Sequence, residues 1–225
     1  MLLSDRDRAT VSTRLQPITR RVTLLLFTRT IGASESTDVA RRVVTELASL
    51  NDKITVDEVN VVLDRARAEQ FGIEHDPAIV VLANGEDTRM RFLGAPAGYE
   101  FMSLIEAVLA AGTGESGLSS ESKALLAARG DAPLDIHVFV TPTCPHCPRA
   151  VSLAHRMALE SPHVRATCVE ATEFLELSHK FRVTGVPKTV VNEATEILGA
   201  LPEDQFIRAI LQPGEPDEQE HPSRA

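Results

Sequence analysis

Phe71, Pro77, Val80 and Val81 recur as Phe181, Pro187, Val190 and Val191, at a constant shift of 110 residues with no gap between them. Further on, Leu93, Gly94, Ala95 and Phe101 recur as Leu198, Gly199, Ala200 and Phe206, at a shift of 105. A chain that repeats one pattern of apolar, proline and glycine positions has the same surfaces to bury twice. It therefore folds as two copies of one supersecondary unit.

Apolar periodicity gives the unit. In the first copy it reads helix 4–15, strand 22–28, helix 36–50, strand 54–59, helix 61–71, a hairpin of strands 78–82 and 89–93 turned at Asn84 and Gly85, and helix 99–110. In the second it reads helix 119–129, strand 134–140, helix 147–160, strand 164–169, helix 172–181, strands 188–191 and 196–198, and helix 203–211. The stretch 111–117, rich in residues that break regular structure, is the expected joint. The expected division is a first domain 1–114, a second 115–212, and a disordered acidic tail 213–225. At 225 residues with 43% hydrophobic content, the chain has room for two packed cores.

The chemistry concentrates in Thr143, Cys144, Pro145, His146, Cys147 and Pro148, which follow the apolar run ending in Val140 and open a helical pattern. The first N–H groups of a helix have no internal partner and carry partial positive charge, so a thiolate there is favoured over a thiol. Cys144 is expected to be the exposed, acidic nucleophile and Cys147 the shielded sulfur that resolves a mixed disulfide. Pro145 is expected to occupy the first helical position behind a Cys144 cap, and His146 to add a donor that favours the thiolate. A structural zinc site would need a second Cys or His pair at short spacing, and the sequence offers only Cys168. The shift of 110 carries Cys144 onto Ser34 and Cys147 onto Thr37, so the first copy is expected to lack redox activity while Ser34 and Thr37 cap its helix.

Three cysteines are too few for a disulfide scaffold. A formal charge of −9 with no basic stripe argues against a nucleic-acid partner. No run has the length and apolarity of a bilayer span or signal peptide, so the expectation is a soluble, cytoplasmic protein. Pro187, behind Gly185 and Val186, heads a strand expected to lie beside the one that ends at the cysteines. A cis Val186–Pro187 bond would leave the Val186 backbone free to pair with an extended peptide.

A strand, Cys-Pro-His-Cys, a helix and then Gly-Val-Pro before a hairpin resembles the thioredoxin/glutaredoxin fold. Two such units, with the stretches 139–148 and 94–101, resemble the glutaredoxin-like protein disulfide oxidoreductases. They are also similar to the tandem thioredoxin-fold module at the N-terminus of the flavoprotein component of alkyl hydroperoxide reductase. The resemblance implies an α/β fold of two tandem thioredoxin-like units, each a mixed central sheet flanked by helices. It implies a dithiol–disulfide oxidoreductase with no bound cofactor, working through a redox-active Cys144–Cys147 disulfide, with Val186 and Pro187 binding substrate and no metal. The implied partners are a disulfide-bearing protein such as a peroxiredoxin and a thioredoxin-reductase-like flavoprotein. A reducing compartment would make even an oxidising pair act as a reductant. The contrasting expectation is a non-enzymatic metal- or partner-binding module on the same scaffold. Of the remaining residues, Cys168 is expected to be a buried small hydrophobe, Glu170 and Lys188 to be solvated, and the histidines outside the motif to be ordinary.

Overall fold

A computed structural model describes residues 3–211, and the expected tail 213–225 lies outside the described residues. The first half runs α1 (Asp5–Arg14), β1 (Val22–Thr28), α2 (Glu35–Ala48), β2 (Ile54–Asn60), α3 (Arg65–Gln70), β3 (Ala78–Ala83), β4 (Glu86–Leu93) and α4 (Glu100–Thr113). The second runs α5 (Ser120–Ala128), β5 (Leu134–Val140), α6 (Cys147–Glu160), β6 (Val164–Glu170), α7 (Leu175–Lys180), β7 (Lys188–Val191), β8 (Thr195–Leu198) and α8 (Glu203–Leu211). Each half has the element order that the sequence repeat implies.

The two halves share one mixed sheet of eight strands, in the order β2-β1-β3-β4-β6-β5-β7-β8. They join where β4 and β6 pair in parallel, from Met90 opposite Ala166 to Leu93 opposite Val169. Separate sheets would leave both strands as open edges with Met90, Phe92, Ala166 and Cys168 beside them, all of which are buried here. On one face a single core runs across the junction and includes Leu104 and Val108 of α4 with Val151, Ala154 and Met157 of α6. The other face carries two smaller cores, around Phe27, Phe71 and Val80 in the first half and around Phe139, Phe181 and Val190 in the second.

Three expectations change. The helix expected to end at residue 110 runs further: α4 continues to Thr113, ends on Gly114 at φ +78°, and buries Gly112 so closely that a Cβ would lie 2.7 Å from Ile18. Helices α3 and α7 are shorter than their apolar patterns suggest. Asn60 Oδ1 accepts the N–H groups of Val62 and Leu63, and the Glu170 carboxylate accepts those of Thr172 and Glu173. These side-chain turns occupy the residues that would have formed the first helical turn.

The third change concerns the helix start of the first half. The offset is 112 in the first strand of each half, with Val22 standing for Leu134, and 110 in the second, with Ile54 standing for Val164. The buried residues of α2, Thr37, Ala40, Val43, Val44 and Leu47, fall at the offset of 110 on Cys147, Ala150, Leu153, Ala154 and Met157, all buried in α6. The first half thus holds two more residues between β1 and the buried face of α2. Ser34 and Thr37 stand where Cys144 and Cys147 stand, with their hydroxyls 3.3 Å apart. The Ser34 hydroxyl, however, makes no cap hydrogen bond and lies 2.7 Å from Ser36 Oγ.

Phe92 is buried in the shared core and meets the His155 ring of α6 edge-on at 4.9 Å. Phe92→Ala is expected to cost about 3–5 kcal/mol and to destabilise both halves together. Urea unfolding followed by far-UV circular dichroism and by probes placed in each half should show one coincident, shifted transition.

Candidate redox site

Strand β5 pairs with β6 on one side and β7 on the other, so its C-terminal end delivers residues 141–146 to the middle of the second half's sheet edge. The Cys144 N–H donates to the Thr141 carbonyl at 3.1 Å, closing a turn, and α6 begins at Cys147 with His146 as its preceding residue. Cys144 and Cys147 Sγ stand at disulfide distance, with their Cα atoms 5.5 Å apart. The Cys147 N–H donates to Cys144 Sγ at 3.1 Å. One of the unpartnered donors of a helix start is therefore aimed at the leading sulfur.

Two details differ from the sequence expectation. Pro145 lies in the turn ahead of the helix, and Pro148 takes the place in the first turn where a missing N–H costs nothing. Cys144 is not openly exposed: it retains 8% of its surface against 0% for Cys147. The difference between the two sulfurs keeps the expected sign, with a narrow approach to Cys144 alone.

The loop rests on the first half. Tyr99 N–H donates to the Pro142 carbonyl at 2.9 Å, and Gly98, at φ +59°, comes so near that a Cβ there would lie 2.2 Å from the same oxygen. Only glycine satisfies both the backbone angle and the approach. Two residues on from Gly98, Glu100 opens α4 and is 1% exposed. Ser103 Oγ donates to its carboxyl at 2.6 Å, and the Cys168 thiol lies 3.7 Å from Oε2. Burial pushes the Glu100 carboxyl up to about 7, and burial with the neighbouring carboxyl pushes the Cys168 thiol up as well. Sequence reasoning misses Glu100, because an acid in a first helical turn normally signals a solvated partner for the helix dipole.

The structure places the other singled-out residues clearly. Val186–Pro187 is cis, and so is Asp76–Pro77 in the first half. Strands β5 and β7 pair Phe139 with Lys188, and continuing that register sets Val186 across from Thr141 at the start of the cysteine loop. Among the described residues, the backbone groups of Val186 have no backbone hydrogen-bond partner. Cys168 is free and buried, as expected. Glu170 is buried rather than solvated, its carboxylate held by Thr172 and Glu173. Lys188 is buried too, its Nζ donating to the Phe181 carbonyl at 2.7 Å and paired with Glu196 at 2.7 Å. His155 is enclosed in the core with Nε2 3.2 Å from the Arg91 carbonyl, and burial lowers its pKa to about 4.

A family model described as a thioredoxin domain matches residues 134–212, the half that carries both cysteines. The alkyl hydroperoxide reductase component AhpF of Escherichia coli (strain K12) is 25% identical over 191 residues, covering 85% of this chain and 34% of that protein. Its counterpart from Staphylococcus epidermidis is 26% identical over 155 residues, covering 68% of this chain and 27% of that protein. This chain thus spans about a third or less of the length of these curated relatives. Among solved structures, the NTD_N/C domain of alkyl hydroperoxide reductase AhpF from Enterococcus faecalis superposes with a TM-score of 0.86 at 30% identity, covering 92% of this chain and 99% of that one. A protein disulfide oxidoreductase from Aeropyrum pernix K1 superposes with a TM-score of 0.83 at 25% identity, covering 92% of this chain and 91% of that one.

The Glu100 environment makes a pH prediction. Its native pKa lies above the ordinary carboxyl value of 4.5, at about 7, so the native state favours the protonated carboxyl. The associated stability is fully present below the unfolded pKa and is lost as pH rises through 7. Glu100→Gln should abolish this decline, leaving the variant less pH-sensitive than the unaltered chain between pH 4.5 and about 7 in denaturant titrations.

Proposed function

We propose that this chain, which belongs to the family of the N-terminal thioredoxin-fold domains of alkyl hydroperoxide reductase AhpF, is a dithiol electron carrier that reduces disulfides in proteins. The observation that carries this reading is the Cys147 N–H aimed at Cys144 Sγ, in a pair at disulfide distance with only the leading sulfur reachable.

In the reduced chain, the Cys144 thiolate attacks one sulfur of the substrate disulfide. A new Cys144–substrate bond forms, the substrate S–S bond breaks, and the departing thiolate takes a proton from solvent. Cys147, losing its proton, then attacks Cys144 Sγ. The mixed disulfide breaks, the second substrate sulfur leaves as a thiolate and is protonated, and the Cys144–Cys147 bond closes. The substrate gains two electrons and two protons; the pair gives up both electrons and the Cys147 proton, and solvent supplies the other proton. The chain's own disulfide is the electron carrier and no bound cofactor takes part. His146, beside the nucleophile, and Pro145, which fixes the turn, tune Cys144. The Val186 backbone, ahead of cis Pro187, pairs with an extended stretch of substrate.

The likeness to alkyl hydroperoxide reductase AhpF suggests that the substrate is a peroxiredoxin-type disulfide. A flavoprotein of the thioredoxin-reductase kind, on the same or a separate chain, restores the dithiol. Among the described residues no helix is long and apolar enough to cross a membrane. The reducing direction assigned here calls for a reducing compartment, the cytoplasm.

Insulin reduction with dithiothreitol as the terminal reductant tests the assignment. Cys144→Ser should fall to the uncatalysed rate. Reduced Cys147→Ser, freed of dithiothreitol before mixing, should accumulate a covalent adduct with the substrate through Cys144, visible by mass spectrometry and released by added reductant. Turnover retained by Cys144→Ser would refute the nucleophile assignment.

A further inference from the structure

The cysteine-free half carries exposed apolar side chains around the loop that leads to Ser34, the counterpart of Cys144. Ile31, in that loop, is 92% exposed; Leu63 is 84% and Val62 56% exposed. At the positions of Leu63 and Val62 the redox half carries Glu173 and Thr172. These apolar residues are held together by one side chain. Asn60 Nδ2 donates to Thr30 Oγ1 at 2.8 Å, fixing the residue before Ile31, while Asn60 Oδ1 accepts the N–H groups of Val62 at 2.9 Å and Leu63 at 3.1 Å. Three large apolar groups kept in water by an ordered loop pair signal a contact surface.

The sheet sets where that surface lies. The pairings are parallel for β1–β2, β4–β6 and β5–β6, and antiparallel for β1–β3, β3–β4 and β5–β7, so β1 and β5 point the same way. Ile31 and Cys144 therefore open on the same edge of one sheet. They are four strand intervals apart in the order β1-β3-β4-β6-β5, about 19 Å at the usual strand spacing. An extended chain of roughly six residues spans that distance. Between them, at the start of α4, stand Tyr99, 50% exposed, and Met102, 38% exposed.

We propose that Ile31, Val62 and Leu63 form a docking shelf for an apolar segment of the same polypeptide whose disulfide is presented to Cys144, lying about six extended residues from that disulfide. The occupant follows from continuity with the redox site along a shared edge, and so rests on the reading of Cys144 given above. The first half is then the specificity element: Cys144 supplies the exchange and the shelf selects the chain.

Two synthetic peptides carrying the same disulfide test this. One bears a Leu- and Phe-containing segment six residues away, and the other bears Ser at those positions. The unaltered chain should reduce the apolar peptide with kcat/KM about tenfold higher, equivalent to ~1.4 kcal/mol of contact, carried by KM. Ile31→Asp combined with Leu63→Asp should erase that preference while reducing 5,5′-dithiobis(2-nitrobenzoate) at the unaltered rate, which also shows that the variant is folded. Equal rates for the two peptides with the unaltered chain, or a preference that survives in the variant, would overturn the shelf. So would a self-association, seen by sedimentation, that the variant dissolves, since the occupant would then be a second copy. Failure of the unaltered chain to reduce any of these disulfides would instead refute the redox reading. The shelf would still be read by fluorescence anisotropy, as binding of the labelled apolar peptide that the variant loses.

Discussion

The site depends on a single donor with no helical partner, the Cys147 N–H, directed at Cys144 Sγ. A thiolate desolvated by a protein surface is costly unless a donor meets it, and the start of a helix supplies one together with the positive end of the macrodipole. The rest of the second half serves to put that helix start at the end of β5. The turn closed by Thr141, the proline in the first helical turn and the buried face of α6 each fix its angle.

That placement is not achieved by the second half alone. Pro142, two residues before Cys144, is seated on Gly98 and Tyr99 of the first half, and Glu173 of the second half accepts the Ala95 N–H at 3.0 Å. The merged sheet makes these contacts possible by bringing the ends of β4, β6 and β5 onto one edge. A half without cysteines therefore keeps a mechanical role in the exchange chemistry of the other. The absence of sulfur relaxes what Ser34 and Thr37 must be without relaxing what Gly98 must be.

The repeat, the order of elements and the cysteine motif are legible in the sequence because each rests on local rules: apolar period, breakers, and sulfur at a helix start. The positions that escape depend on the tertiary partner. The offset of 110 carried back to the cysteines lands on the matching buried face of α2, whereas the two residues that the first half adds between β1 and that face leave no mark in the matching stretches 71–81 and 181–191. The fused sheet escapes because strands on an edge and strands in a middle carry similar residues in a two-layer fold. Glu100, Glu170 and Lys188 escape because charged residues are normally solvated, and only the structure shows the hydroxyl, backbone groups and ion pair that hold them inside.

The proposed function requires that position at the helix start make Cys144 a thiolate under working conditions. Thiolate absorbance near 240 nm of the reduced chain against pH, with Cys147→Ser isolating the leading sulfur from its neighbour, measures it most directly. The account predicts a midpoint well below about 8.5, the value of an unperturbed thiol. A midpoint at or above that value would contradict it.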